Sequence, residues 1–199
     1  MNTQGPATAL FAAADYRAVE LGTDDIPALQ RFFEINPEYF LTVTGEPPTA
    51  TEAHEEAQGA PLQGWSFTRK WLIGIVDETD SLVAMADVIS DLLAPGVWHI
   101  GLMIVATRLH GRGVAQTLYG SLERWMHDSG AQWLRLGVVE GNARAARFWE
   151  RQAFVEVRKR SGIEMGNRVN TVRVMVKPLR GGTLPEYLAL VARDRPDSC

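Results

Sequence analysis

The hydrophobic pattern changes its period near residue 110, and two glycines stand at the change. The run Trp98 to Val105 is almost entirely apolar, which is typical of a buried strand. Beyond Gly111 and Gly113, apolar residues recur at helical spacing, at Val114, Leu118, Leu122, Trp125 and Met126. A strand that turns through glycines into a helix is an anion-binding geometry, because the first N–H groups of the helix have no internal partner.

Two further apolar runs precede this strand. They cover Trp71 to Val76 and Leu82 to Ile89, and residues 77–80 and 94–96 between the runs carry turn chemistry. The three runs together predict an antiparallel meander that leads into the glycine turn.

The rest of the chain alternates between helical and strand-like patterns. In chain order we predict a strand at Tyr16 to Leu21, a helix capped by Thr23, a short polar helix at 51–58, a strand at Trp133 to Val139, a helix from Asn142 to Gln152, and strands at Phe154 to Arg160 and Val169 to Val176. The order is therefore β-α-(α)-β-β-β-α-β-α-β-β, an α/β (α+β) chain with a mixed, mostly antiparallel sheet of about seven strands. We predict a flexible leader at 1–14, one domain at 15–179, and a tail at 180–199 with a short helix near 186–193.

Composition excludes several classes of protein. A net charge of −4 disfavours general nucleic-acid binding, and no apolar run approaches the roughly 20 residues needed to span a membrane. The single cysteine is the last residue, and the four histidines lack metal-ligand spacing, so we expect no metal. The N-terminus does not resemble a secretory signal, so we expect a cytoplasmic protein.

The charges are unevenly distributed along the chain. Residues 1–60 contain ten acidic residues and two arginines, whereas residues 108–160 contain ten basic residues and five acids. An anionic ligand should therefore bind the second half. If the acidic segment lies near the same site, it favours a cationic second substrate, although those carboxylates could equally form a solvated face.

Two families that bind phosphate at a glycine turn are excluded by the neighbouring residues. Neither glycine is followed by the lysine of a P-loop, and the third glycine and parallel setting of a dinucleotide-binding fold are absent. The segment HGRGVA at 110–115 instead resembles the pyrophosphate loop [QR]xxGx[GA] of the GNAT superfamily. The downstream segment LGVVEGNARAARFWERQAF at 136–154 is similar to that family's next strand and helix.

The resemblance implies a GNAT fold and an activity. The protein would transfer an acetyl group from acetyl-CoA, its co-substrate, to a primary amine of a small molecule by direct attack in a ternary complex. A homodimer is compatible with the resemblance. Two alternatives stay open: a CoA-binding sensor or interaction module with little catalysis, and an acetyltransferase of protein N-termini or lysines.

The resemblance also implies which residues bind acetyl-CoA. They are Met103, Ile104, Val105, His110, Gly111, Arg112, Gly113, Val114, Ala115, Asn142, Ala145 and Trp149. His110 replaces the usual Arg or Gln, and Trp149 replaces a tyrosine thought to protonate the departing thiolate. Asn142 could serve only as a helix N-cap, and Arg112 could be a solvated side chain.

Three residues are candidates for the general base, and two for the acceptor pocket. His99 is the first choice because an ordinary histidine pKa of about 6.5 suits a base near neutral pH, but it could equally be hydrogen-bonded across the sheet. Simple alternation could expose Asp87, and Glu140 could belong to a loop. Phe33 and Tyr39 lie in the segment that covers the acceptor in relatives.

Overall fold

The strands form one sheet in the computed structural model, which describes residues 9–61 and 64–196. Their bounds are β1 Ala9–Ala13, β2 Tyr16–Glu20, β3 Arg69–Val76, β4 Leu82–Ser90, β5 Val97–Val105, β6 Trp133–Val139, β7 Val155–Met165 and β8 Arg168–Pro178. The order across the sheet is β1-β2-β3-β4-β5-β6-β8-β7, and among these pairs β5 with β6 is the parallel one. The predicted fold class, including the meander, is confirmed.

Six α-helices flank the sheet within residues 9–61 and 64–196. They are α1 Ile26–Ile35, α2 Glu38–Val43, α3 Glu52–Gln58, α4 Val114–Asp128, α5 Ala143–Arg151 and α6 Leu184–Leu190. The main core joins the buried face of α1 to the central strands and to α4, whose Leu118, Leu122 and Met126 are fully buried. Burial of these apolar stripes is the main driving force for docking the helices.

The prediction of a flexible leader at 1–14 is wrong for Ala9–Ala13, which forms β1 against β2. The sheet therefore has eight strands rather than about seven. A short run of small residues gave no periodic signal, but Phe11 packs against Trp125 of α4 with ring centroids 5.8 Å apart. The remainder of that prediction, residues 1–8, lies outside the described residues.

The predicted element order contains no helix between Pro37 and residue 51, but residues after Pro37 form α2. Pro37 follows the end of α1 and occupies the N-cap position of α2. Phe40 and Val43 of α2 are buried, and tertiary packing decides the structure of this six-residue helix.

The tail from 180 onward belongs to the domain as far as it is described. Thr183 and Glu186 form a capping box at the start of α6, and Tyr187 is fully buried against Trp133 with ring centroids 5.3 Å apart. Beyond α6, Asp194 is also fully buried. The tail is therefore a structural part of the sheet's cover, and 197–199 lie outside the described residues.

Asp194 completes a buried ion pair beneath α6. It accepts two hydrogen bonds from Arg135 of β6, at 2.8 and 3.0 Å, and one from the Tyr187 hydroxyl at 2.6 Å. Burial alone would raise the pKa of Asp194, but the hydrogen bonds and charge of Arg135 lower it below its ordinary value.

The central strands separate part-way along their length. The pairing of β5 with β6 begins where Val97 lies opposite Trp133 and ends where Ile100 lies opposite Leu136. Beyond these residues the two strands separate. β4 pairs with β5 as far as Val105, with one extra residue in β5 at Gly101, and β8 pairs with β6 as far as Val139. Each strand is thus held on its outer side while a gap opens between them.

We expect Asp194→Asn to destabilise the protein by about 3 kcal/mol, because removing one partner leaves the Arg135 charge buried and uncompensated. Urea denaturation at pH 7 measures this, with exposed Asp24→Asn as the control, expected to cost less than about 0.5 kcal/mol. Because the folded pKa of Asp194 is lowered, its contribution should be present above about pH 4 and lost on further acidification. Equal losses for the two variants would contradict the prediction.

Candidate active site

A cleft of about 410 Å³ lies where β5 and β6 separate. Ten of the residues predicted to bind the co-substrate line it, namely Met103, Ile104, Val105, His110, Gly111, Gly113, Ala115, Asn142, Ala145 and Trp149. Arg112 and Val114 were predicted with them but do not line it, and the Arg112 side chain is exposed. The strand edge, the glycine turn and the start of α5 therefore meet at one cavity.

The glycine turn presents backbone donors to the cleft. Gly111 and Gly113 have φ values of +75° and +78°, a conformation that favours glycine. A Cβ on either residue would meet no protein atom within 4 Å, so the space beside the backbone is open. The N–H groups of residues 111–115 donate no hydrogen bond within the described part of the chain. These donors and the α4 dipole form a site for an anion.

His110 has a structural role that the sequence did not reveal. Its Nε2 lies 2.8 Å from the carbonyl oxygen of Val105, so the ring donates to the end of β5 and holds the turn against the strand. The side chain that replaces the usual Arg or Gln therefore fixes the shape of the turn.

The opposite wall is built by the start of α5. Asn142 Oδ1 accepts from the Ala145 N–H at 3.1 Å, which confirms the N-cap interpretation, and Asn142 also lines the cleft. Trp149 is buried against Tyr119 and Phe154, with ring centroids 5.2 and 5.3 Å apart. An indole has no acidic proton to give, so Trp149 contributes shape to the wall.

Arg144 and Arg151 of α5 line the cleft and were not singled out from the sequence. Their spacing of seven residues places them on one helix face, a signal that was available. Their guanidinium groups add positive charge beside the open N–H groups of the turn.

The segment joining α1 and α2 closes the third side. Asn36 Oδ1 accepts from the Thr107 N–H at 2.8 Å, and Thr107 Oγ1 donates to Glu38 Oε2 at 2.6 Å. The sequence did not indicate either contact, because 69 or more residues separate the partners. Tyr39 of α2 lines the cleft on this side.

Phe33 does not line the cleft. It is fully buried in the core and packs edge to face against Phe40 with ring centroids 5.0 Å apart. The prediction for Phe33 is wrong because the buried face of α1 points at the sheet.

The premise that His99 has an ordinary pKa is wrong. His99 lies outside the cleft, and its Nδ1 is 3.4 Å from Arg135 Nη1, where it accepts a hydrogen bond. Burial and the positive charge of Arg135 lower the pKa of His99 to about 3. The imidazole is therefore neutral near pH 7 and hydrogen-bonded across the sheet.

The structure also separates the other two base candidates from the cleft. Asp87 is buried rather than exposed, and its Oδ2 lies 3.4 Å from Lys70 Nζ. Asp87 and His99 line a second cavity. Glu140 is half exposed beside a neighbouring groove and forms an ion pair with Lys159.

Within the described ranges, no group of three or more His, Cys, Asp or Glu side chains could hold a metal ion. The helices in the same ranges are too short or too polar to cross a membrane.

The model of the Acetyltransferase (GNAT) family matches residues 29–154, which is more than half of the chain and includes the cleft. The chain belongs to the GNAT acetyltransferase family. It is accordingly an N-acetyltransferase that depends on an acyl-CoA, and the open N–H groups, glycines and arginines of the cleft suit the diphosphate of that molecule.

Solved GNAT structures share the fold at low sequence identity. An acetyltransferase from Thermus thermophilus superposes with a TM-score of 0.66 and 22% identity, covering 84% of this chain and 99% of the other. The spermidine N-acetyltransferase from Vibrio cholerae in complex with CoA and spermine superposes with a TM-score of 0.63 and 16% identity. The match covers 83% of this chain and 96% of the other. The ribosomal-protein-S18-alanine N-acetyltransferase from Escherichia coli superposes with a TM-score of 0.62 and 16% identity. The match covers 85% of this chain and 97% of the other. No curated protein sequence is significantly similar to this GNAT chain.

We expect Gly113→Val to weaken CoA binding at least tenfold, because a side chain at this position would stand where the diphosphate approaches the N–H groups. Gly181→Val is a matched control, since Gly181 also has a positive φ, +77°, and open space but lies far along the chain from the turn. Calorimetry measures CoA affinity, and urea denaturation checks that both variants lose similar stability. Equal affinity in the two variants would refute the proposed contact.

We expect the His99 imidazole to remain neutral from pH 5 to 8, because its pKa of about 3 lies below that range. An NMR titration of the ring nitrogens, assigned with His99→Gln, measures this. A chemical-shift transition near pH 6.5, the ordinary histidine value, would show that the buried Arg135 contact is absent in solution.

Proposed function

We propose that this GNAT enzyme acetylates a primary amine of a small molecule by direct attack on acetyl-CoA in a ternary complex. The observation that carries the proposal is the cleft, which joins an anion site at the glycine turn to an unpaired strand edge beside Tyr39.

The cleft suits an extended molecule with a phosphate at one end. The N–H groups of residues 111–115 would bind the diphosphate, and Arg144 and Arg151 would add charge. The pantetheine would lie along Met103–Val105, where β5 has no partner on the β6 side. The thioester would then lie between this edge and α2.

The reaction removes two protons from the acceptor nitrogen and adds one to the departing sulfur. The acceptor ammonium loses one proton, its nitrogen forms a bond to the thioester carbon, and the C–S bond breaks. The second nitrogen proton is then lost, and the departing thiolate takes up one proton. A backbone N–H of β5 near Val105 is the candidate donor to the oxyanion.

Trp149 leaves the thiolate without the tyrosine that relatives place there. A thiol pKa near that of cysteine, about 8.5, makes the thiolate a tolerable leaving group that water can protonate. Tyr39 lines the same cleft, and burial together with the charge of Glu56 raises its phenol pKa above the ordinary value. Its hydroxyl therefore stays protonated and can donate a hydrogen bond inside the cleft.

The proposal predicts CoA release that depends on an amine. Acetyl-CoA is mixed with polyamines, amino acids, aminoglycosides and short peptides, free thiol is followed with time, and products are weighed by mass spectrometry. We expect at least one small amine to gain a single acetyl group, and Gly113→Val to slow the reaction at subsaturating acetyl-CoA.

Two other outcomes would identify the alternatives. Tight acetyl-CoA binding without thiol release for any amine favours a sensor or interaction module. Acetylation confined to peptide N-termini or lysines favours a protein acetyltransferase.

A further inference from the structure

The hairpin of β7 and β8 projects past the end of β6, on the side where the cleft opens. β8 pairs with β6 until Val172 lies opposite Val139, the last residue of β6. β7 and β8 continue their pairing beyond this point, until Met165 lies opposite Arg168. The hairpin tip, residues 164–170, therefore extends beyond the strand that forms one wall of the cleft.

The hairpin tip binds the end of α2. Residues 36–46, the α2 strap, contain this helix together with its flanking residues. The last carbonyl groups of a helix have no partner inside the helix. Three carbonyl oxygens at the end of α2 accept hydrogen bonds from the hairpin tip, namely Thr42 O from Arg168 Nη1 at 2.9 Å, Val43 O from Asn170 Nδ2 at 2.9 Å and Thr44 O from the Asn167 N–H at 3.0 Å.

Two glycines allow the hairpin tip and the α2 strap to approach closely. A Cβ on Gly166 would lie 2.7 Å from the Cβ of Thr44, and a Cβ on Gly45 would lie 2.9 Å from Arg168 Nε. Both glycines also have a positive φ, +54° at Gly166 and +85° at Gly45. Each partner thus contributes a residue that the close contact requires.

The other end of the α2 strap is fixed to the segment that leads into the glycine turn. Thr107 donates to Asn36 from its backbone N–H and to Glu38 from its hydroxyl. Thr107 follows β5, whereas the hairpin tip extends from the neighbour of β6. The α2 strap therefore spans the gap between the two separated strands and is hydrogen-bonded on both sides of it.

The position of α2 depends on these end contacts because the helix is short. Six residues are too few for a helix that is stable by itself in water. Phe40 and Val43 are buried in the core, while Glu38, Tyr39 and Thr42 line the cleft. Core packing holds one face of α2, and the hydrogen bonds at its two ends fix how the other face lies over the cleft.

Asn170 makes the buried hydrogen bond among the three from the hairpin tip. Its side chain is buried, whereas Asn167 and Arg168 are exposed. Loss of a buried donor leaves the Val43 carbonyl oxygen without a partner and without access to bulk water, which costs more than the loss of an exposed contact. Val43 lies one helical turn after Tyr39, so Asn170 holds the turn that carries Tyr39.

We propose that Asn170 is a positioning residue for acetyl transfer. By binding the Val43 carbonyl oxygen, it keeps α2 across the cleft and places the Tyr39 hydroxyl at the reacting end. Asn170 itself does not line the cleft, so it acts through Tyr39. This inference rests on the proposed acetyl transfer and names a residue on which the geometry of that site depends.

Hydrogen exchange followed by mass spectrometry tests the contact with α2 without any acetyl transfer. The full chain is compared with Asn170→Ala at pH 7. We expect the amides of α2 to exchange about tenfold faster in the variant, while those of the buried helix α4 keep their rate. Equal acceleration in α2 and α4 would show a general loss of stability and would overturn the inference, as would unchanged exchange in α2.

Asn167→Ala is the matched control on the same hairpin tip. The Asn167 side chain donates to the exposed Glu46 carboxylate, and its backbone N–H, which binds Thr44, is kept in the variant. We expect no change in the exchange of α2. If Asn170→Ala fails to fold, Arg168→Ala removes an exposed donor to α2 instead: exchange in α2 about threefold faster supports the hold of the hairpin tip, and unchanged exchange overturns it.

Steady-state kinetics separates positioning from a structural role. With an amine that the enzyme acetylates, Asn170→Ala should lower kcat about tenfold and leave KM for acetyl-CoA nearly unchanged, because the glycine turn is untouched. Tyr39→Phe should lower kcat as well. Adding Asn170→Ala to Tyr39→Phe should have little further effect, since Asn170 acts through the hydroxyl. Losses that add fully in the double variant would contradict this role.

The outcomes also separate this inference from the proposed function. Faster exchange confined to α2 in Asn170→Ala, with no acetylation of any amine by the unaltered enzyme, rejects acetyl transfer and keeps the link between Asn170 and α2. Acetylation with an unchanged kcat in Asn170→Ala keeps acetyl transfer and rejects Asn170 as a positioning residue.

Discussion

The structure depends on the loss of hydrogen bonding between β5 and β6 after Ile100 and Leu136. Backbone groups that lose a ladder partner need another, and here the outer neighbours β4 and β8 keep each strand in place while the inner edges stay open. A ligand with amide and carbonyl groups can take the position of the missing pairing. The same separation lets the chain leave β5, turn at Gly111 and Gly113, and begin α4 with its free N–H groups facing the gap.

The open edge is supported from both sides by contacts between distant parts of the chain. Thr107 ties the glycine turn to Asn36 and Glu38, so the α1–α2 segment and the turn form one unit. On the other side, Arg135 of β6 is fixed by Asp194 from the end of the chain. Since the gap itself contributes no pairing, its shape is set by these flanking interactions.

Much of the fold and of the co-substrate site followed from local pattern. The period change near residue 110 located the turn, and Asn142 located the start of α5, because both signals lie within a few residues of what they predict. The second cavity, lined by Asp87 and His99, did not follow in this way. Asp87, Glu56 and Lys70 meet only through strand pairing and the docking of α3. The neutral state of His99 arises from burial and from the charge of an arginine 36 residues away. Alternation failed at Asp87 because both faces of a central strand are covered.

Trp65 shows how far the wall of the second cavity, which Asp87 and His99 also line, reaches along the sequence. Its ring faces the guanidinium groups of Arg193, Arg135 and Arg160, with centroid distances of 4.8, 5.5 and 5.9 Å, and it lines the cavity. A residue near position 65 is thus held in place by cations from two strands and from the last turn before 196. The shape of this cavity wall is therefore coupled to residues near position 193, although they lie more than a hundred positions from Trp65 in the sequence.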